Sequence, residues 1–422
     1  MSKNILIRSG TSPYDKYTTS EYLNKDLGGG NSGNLLFAAS MFRNINDSER
    51  ICFSNYYNLS LSSIDYINQN FSCFILPLAN AFRSNFSELD KLTQFVKKLK
   101  IPCIVTGVGG QFDYDPDFSQ AFEFDKRARD FCLAILEKSL SIGVRGEITA
   151  DYMKKRLGIS EDKIDIIGCP SIFWYGPSCP KIKSHKEIYE STISIHAGAS
   201  IDPYLWSLIN KSSQYFAKRY FVPQGNYDLR ILYSGESLKK LSSDYPSSLF
   251  HPLYKHNKVR FFTRADSWIN FYQNEIDFSL GIKIHGTIAG ILGGARVLLL
   301  ATDSRTRELA EFHHIPFVKA RKDIKSLDLL NVISDSALMN DFCDKYKDKY
   351  INFKNFMLKN GVKLSENETK LKAINNIDDP AIGYVTSFYS VPDSEKIHRV
   401  TNSYSFLSKK ISKLQEKLKN LK

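Results

Sequence analysis

The sequence lacks most of the short patterns that settle a protein's chemistry at a glance. None of its seven cysteines (52, 73, 103, 132, 169, 179 and 343) forms a Cys-x-x-Cys pair, and their number is odd. Neither a zinc knuckle nor a disulfide framework is therefore expected. Several sit in apolar runs, such as Ser72-Cys73-Phe74-Ile75-Leu76, and read as reduced, buried small hydrophobes in a reducing compartment. No His-Glu-x-x-His, His-x-x-x-His or carboxylate–histidine cluster has ligand spacing, so no bound metal is expected. A phosphate loop ending in Gly-Lys-Ser/Thr is missing, as is the Gly-x-Ser-x-Gly nucleophile elbow. The longest apolar run, Ile288 to Ala301, is broken by Arg296 and is too short to span a bilayer. The N-terminal apolar stretch Ile5-Leu6-Ile7 is too short for a signal peptide. A cytoplasmic protein is the expectation.

What is present is an ordinary globular balance. The chain has 422 residues, 42% hydrophobic and 24% charged, enough for two α/β domains and additional elements. Lysine and arginine number 57 against 45 acidic residues, a net charge of +12, which points to anionic partners. No RNA-binding signature, zinc-finger spacing or basic region with sustained heptads accompanies that charge, so nucleic acid is not an expected partner.

Short apolar runs alternate with segments of helical period, the pattern of parallel α/β units. Strands are predicted at Ile5–Ile7, Ile51–Phe53, Cys73–Leu76, Ile104–Thr106 and Ser141–Val144, with helices at 87–99, 122–140 and 147–157 between them. The polar, proline-rich stretch 176–186 reads as a linker. A second series follows, with strands at Thr192–His196, Tyr220–Val222, Val259–Phe262, Phe278–Gly281 and Val297–Leu300. The expected organisation is an N-terminal lobe over 1–178, a second lobe over 187–325 and a helical extension over 326–399. A basic amphipathic or coiled-coil helix over 400–422 would close the chain. In that last segment Tyr404, Leu407, Ile411, Leu414, Leu418 and Leu421 recur at spacings of three and four among lysines 409, 410, 413, 417, 419 and 422. A homo-oligomer contact is one reading of it; a peripheral contact with the inner face of a membrane is the other. Two open-sheet lobes facing each other bind ligands in the cleft at the carboxyl ends of their strands.

Charged residues stand at several of those strand ends. The strongest signal is Leu280-Gly281-Ile282-Lys283-Ile284-His285-Gly286-Thr287, a strand ending in Lys283 and His285 and opening a helix rich in small residues. Such a turn aims backbone N–H groups, an ammonium and an imidazole at a bound anion. Ser141-Ile142-Gly143-Val144-Arg145-Gly146-Glu147 repeats the logic in the first lobe, and the guanidinium of Arg145 suits a carboxylate or phosphate. Asp303-Ser304-Arg305-Thr306-Arg307 follows another strand, with Asp303 or Ser304 as N-cap and one of the two arginines facing the cleft. The loops Gly28–Asn34 and Gly107–Gln111 allow close backbone approach to a ligand. His196 ends the first strand of the second lobe; cleft-facing and packed readings of it stand equal. His313-His314 reads as structural.

Together these junctions resemble the polysaccharide pyruvyltransferase family over roughly residues 28–320. The match rests on the Gly33-Asn34 helix start, Ser141–Arg145, Ile167-Gly168-Cys169-Pro170-Ser171, and above all Gly281–Gly286 followed by Gly293–Leu298 and Asp303–Ala310. The resemblance implies a two-lobed fold similar to the GT-B glycosyltransferases. It also implies transfer of pyruvyl from phosphoenolpyruvate to sugar hydroxyls, as a ketal on capsule, exopolysaccharide or cell-wall glycans. No cofactor beyond the donor is implied. Where the family's pattern has Arg before the apolar residue and His, this chain has Lys283, a cation without the bidentate fork.

On that reading Arg145, Lys283, Ile284 and one of Arg305 or Arg307 bind the donor, and His285 is the general acid. His196 or an unidentified carboxylate takes the acceptor's proton. Asn31, Gly33, Asn34 and Gln111 lie on the acceptor side. The alternative is a glycosyltransferase on the same frame, using a nucleotide sugar for surface polysaccharide synthesis.

Overall fold

The computed structural model describes residues 4–45, 50–237, 244–365 and 383–419. Its first sheet contains strands β1 (Ile5–Ile7), β2 (Cys52–Ser54), β3 (Cys73–Pro77) and β4 (Cys103–Thr106) in the order β2-β1-β3-β4, all parallel. A parallel pair, β5 (Ile142–Val144) and β6 (Ile164–Ile166), continues the layer through a bridge from Val108 to Val144. The second sheet runs β11-β10-β9-β7-β8, again all parallel, with β7 (Thr192–His196), β8 (Lys218–Phe221), β9 (Phe278–Gly281), β10 (Arg296–Ala301) and β11 (Phe317–Lys319).

The central strands are buried apolar runs, as parallel strands covered on both faces must be. β3 reads Cys-Phe-Ile-Leu-Pro and β10 Arg-Val-Leu-Leu-Leu-Ala, every residue buried. Amphipathic helices cover them. In Glu88–Lys98, Leu89, Leu92, Phe95 and Val96 point inward, Glu88 and Asp90 occupy the first turn, and Lys97 and Lys98 the last, matching the helix dipole.

One core joins the lobes. Phe37, Met41 and Phe42 of the Gly33–Ile45 helix pack in the same cluster as Ile288, Ile291 and Leu292 of the Ile284–Leu292 helix. Those two helices start at the cleft, one from each lobe.

Several predicted boundaries shift. Val259–Phe262 makes a single parallel bridge, Phe221 to Val259, in place of a strand. β6 and β11, three residues each, were too short and too polar to stand out as apolar runs. The extension does not stand apart: Phe342, Tyr346, Tyr350, Phe353 and Phe356 of the Asn340–Lys359 helix are buried, and Phe353 stacks on Phe173 of the first lobe at 5.4 Å. The closing helix runs unbroken from Asp393 to Lys419, so a division at 399/400 falls inside it. Leu421 and Lys422 lie outside the described residues.

Candidate active site

A cleft of about 890 Å³ opens between the two sheets. Its walls carry five cations, Arg8, Arg83, Arg145, Lys283 and Arg305, against three carboxylates, Asp26, Glu88 and Asp202. Glu88 is already paired with Arg8 at 3.0 Å, and Asp202 caps the Pro203–Ser213 helix. The balance of the cleft is positive.

Arg145 is held rigidly. Its backbone N–H extends the ladder to Val108 O (3.0 Å) and its Nε donates to Gly107 O (3.1 Å). The side chain is 3% exposed, and burial lowers its pKa from the usual arginine value. A guanidinium kept dry in this way gains most from an anion that replaces its lost water.

Lys283 and His285 follow β9. Lys283 is the N-cap of the Ile284–Leu292 helix, and no side chain caps that helix start. The first-turn N–H groups are thus left to a ligand. Burial, then the charge of Arg305, depresses the Lys283 ammonium. Lys283, Ile284 and His285 all line the cleft. The His285 ring, 8% exposed, lies between Gly33 and Cys169, whose Sγ is 3.8 Å from Nε2. Burial, then Arg145, brings its pKa down to about 3, which makes the ring neutral at pH 7.

Arg305 lines the cleft, and its Nε donates to Asp303 Oδ2 at 2.9 Å. With its amide oxygen turned inward, Asn80 accepts from both Arg305 Nη1 (3.0 Å) and Arg83 Nη1 (2.9 Å), linking the lobes across the cleft. Asp303, of the two expected caps, is the N-cap, accepting from Thr306 N at 3.1 Å. Ser304 instead accepts from Phe112 N (3.2 Å) of the first lobe.

Three of the candidate residues lie off the cleft wall. Arg307 does not reach the cleft: it pairs with Glu311 (2.8 Å) and Asp115 and lies over the Tyr114 ring. One turn of helix separates residues 305 and 309, not 305 and 307, so the two arginines leave the helix on different sides. His196 is fully buried beneath the turn and is not part of the cleft wall. Its Nδ1 accepts from Lys283 N at 3.1 Å, which fixes the turn, and burial, then the charge of Lys283, brings its pKa down to about 3. Gln111 is exposed and is not among the residues lining the cleft.

In the first lobe, Asn31 and Asn34 line the cleft. Asn31 Oδ1 accepts from Gly33 N (2.8 Å), and Asn34 Nδ2 donates to Gly28 O (2.9 Å). Gly33 lies behind them, against His285. His313, read as structural, accepts from Cys169 N at 2.8 Å.

Sequence reasoning missed Arg8, Asn80 and Arg83, which stand in loops with no periodic signal. It also missed Glu308. That residue is 2% exposed and accepts from Thr149 N (2.9 Å) and Thr149 Oγ1 (2.8 Å), so a second-lobe carboxylate caps the first-lobe helix that starts behind Arg145. Burial raises its pKa to about 7. Its place one turn after Ser304, on the helix face that meets the first lobe, was the available signal.

Among the described residues no group of three His, Cys, Asp or Glu is arranged to hold a metal. No helix among them is long and apolar enough to cross a membrane.

Residues 31–304 match the family described as polysaccharide pyruvyl transferase. No curated protein matches the chain. Solved structures similar to it include the UDP-GlcNAc 2-epimerase of Methanocaldococcus jannaschii in complex with UDP-GlcNAc and UDP, at 10% identity and TM-score 0.42, covering 84% of this chain and 100% of that one. The Neisseria meningitidis UDP-GlcNAc 2-epimerase bound to UDP-GlcNAc aligns at 10% identity and TM-score 0.40, covering 88% and 99%. Anabaena HepE in complex with UDP and glucose aligns at 12% identity and TM-score 0.38, covering 89% and 97%.

Proposed function

The chain belongs to the polysaccharide pyruvyl transferase family, and from that premise we propose that its donor is phosphoenolpyruvate and its product a pyruvate ketal. The acceptor is a hydroxyl-bearing cell-surface glycan or its lipid-linked precursor, and inorganic phosphate is released. The observation that carries this reading is the meeting of Arg145, Lys283 and Arg305 with His285 at one cleft. The charge of Arg305 is felt by both Arg145 and Lys283.

Phosphoenolpyruvate brings a phosphate and a carboxylate, and three cations with an uncapped helix N-terminus supply the complementary field. Each charge-assisted hydrogen bond contributes roughly 1.5–3 kcal/mol. The reaction needs a proton at the enol methylene carbon, which leaves an oxocarbenium-like centre at the adjacent carbon. An acceptor hydroxyl adds there and loses its proton. Departure of phosphate and addition of a second hydroxyl, again with loss of a proton, complete the ketal.

His285 is the proton donor in this scheme. Before the donor binds its ring is neutral, because desolvation and Arg145 both disfavour the cation. A bound dianion reverses the sign of the local field and draws a proton onto the ring as the donor arrives. Loading the acid and binding the donor are then one event. The cations of the chain itself neutralise the donor, and no cofactor is called for in these steps. The donor is a metabolite of the cytoplasm, and we place the enzyme there.

Isothermal titration separates this reading from a nucleotide-sugar transferase. Phosphoenolpyruvate is expected to bind, with proton uptake visible as a buffer-dependent heat. Binding of a nucleotide sugar, with no heat from phosphoenolpyruvate, would overturn the donor assignment.

A further inference from the structure

The closing helix is rooted at one end and bare along one side. Near its start Arg399 is buried: Nη1 donates to Thr386 O (2.8 Å), Nε to Glu395 (2.9 Å), and the guanidinium lies 4.5 Å over the Tyr233 ring. Ser403 meets Glu236 and Arg230 on the same side. These contacts fix the helix to the second lobe. On the neighbouring side Ile397, Val400, Tyr404, Leu407 and Ile411 are 68%, 45%, 76%, 37% and 54% exposed. Five large apolar side chains in one line, all in solvent, are a surface that single exposed hydrophobes do not explain.

Their spacing is three, four, three, four, and the sequence continues it within the helix at Leu414 and Leu418. A helix that lies on a lobe or in a lipid surface uses a broad apolar face. A repeat of 3.5 kept over three heptads is instead the narrow seam of a left-handed coiled coil. Taking Ile397 as the first core position puts Ile397, Tyr404, Ile411 and Leu418 at one kind of site and Val400, Leu407 and Leu414 at the other. Ile397 and Ile411 at the first with Leu407 and Leu414 at the second are the combination that favours two parallel strands, from which Tyr404, Leu418 and Val400 depart. The flanking register agrees. In a parallel pair Ser403 falls opposite Ser408 of the other copy, so no like charges face each other at that level of the seam.

We propose that two copies of this chain associate through a parallel coiled coil formed by residues 397–418, with a catalytic cleft on each copy. The helix is 27 residues long, about 40 Å at 1.5 Å per residue, and its root on the second lobe holds the two bodies at one end of the seam. The proposal is independent of the donor and acceptor assignments.

Sedimentation equilibrium of the full chain at micromolar concentration tests it. The expected mass is twice that of the chain, and the double variant Leu407→Glu, Ile411→Glu should sediment as a monomer. Its far-UV circular dichroism should still show a cooperative melting transition of the folded body, because these side chains are already in solvent in the single chain. Val400→Cys gives the orientation: near one end of the seam, it forms a disulfide-linked dimer under mild oxidation only if the helices run parallel. A monomeric parent, a dimer that survives both glutamates, or a Val400→Cys chain that does not cross-link would each overturn the proposal. So would a monomer that pellets with vesicles of anionic lipid and loses that binding in the double variant, since lipid would then be the occupant of the stripe.

Discussion

His285 rests directly against Gly33: a Cβ on residue 33 would lie 2.6 Å from His285 Nδ1 and 2.8 Å from His285 Cβ. A helix start from each lobe meets at this contact, and the His285 ring is clamped by a backbone that has no side chain. Gly33→Ala should therefore push the imidazole off its position. Overpacking of this kind costs roughly 1–3 kcal/mol. The expected result is a large fall in kcat with a smaller change in donor KM; unchanged kcat would show that the ring tolerates displacement.

His196 and Lys283 make a second dependent pair. The Lys283 N–H donates to His196 Nδ1 at 3.1 Å, with His196 wholly buried. His196→Leu leaves that amide without its acceptor, a cost of about 1–3 kcal/mol. Donor KM should rise as the turn loosens, while the shape of the pH–rate profile stays as in the parent, because His196 titrates at no step. A lost limb in that profile would return His196 to the chemistry.

Arg305 and Arg307 are two residues apart and should behave differently. Arg305→Ala removes one charge-assisted bond to the donor, roughly 1.5–3 kcal/mol, or about 10- to 100-fold in kcat/KM. Arg307→Ala breaks surface pairs to Glu311 and Asp115 and should cost ~0–1 kcal/mol of stability, with donor kinetics unchanged. Steady-state kinetics on the two variants decide it; equal losses would mean that Arg307 reaches substrate.

Glu308 links stability to pH. Its folded pKa is raised from 4.5 to about 7 by burial. A raised folded pKa means that the protonated form is the one favoured by folding. Its stabilisation is full below the unfolded pKa near 4.5 and is lost as pH rises through about 7. Glu308→Gln cannot ionise, so its stability relative to the parent should increase between pH 5 and pH 8 by up to roughly 3 kcal/mol. Denaturant unfolding at the two pH values measures the difference. A constant difference would show that Glu308 ionises in the folded chain as readily as in the unfolded one.

The residues legible in the sequence were those where a charge directly follows a buried apolar run. Arg145 after Val144, Lys283 and His285 after β9, and Asp303 with Arg305 after β10 all reached the cleft or its rim, because parallel strands end there. The same logic misled at His196. That residue is the last of β7 and pairs in register with Gly281, so the sheet still covers it where a position two residues further on would be free. Asn80 and Arg83 follow β3 in an irregular segment whose path depends on Gly109 and Gln111 of a neighbouring loop, a tertiary matter that no local pattern carries. The Asn340–Lys359 helix read as charged and featureless because its buried aromatics recur among lysines and aspartates, and its packing on the first lobe is set by residues far away in the chain.

The central claim is that His285 protonates phosphoenolpyruvate in a cleft that binds it through Arg145, Lys283 and Arg305. Its most direct test is release of inorganic phosphate from phosphoenolpyruvate, followed with a panel of oligosaccharide and lipid-linked acceptors for the parent chain and for His285→Gln. Acceptor-dependent release by the parent, nearly abolished in a His285→Gln variant that keeps the parent's melting temperature and still binds phosphoenolpyruvate, is the predicted result. Near-parental release by His285→Gln would contradict it.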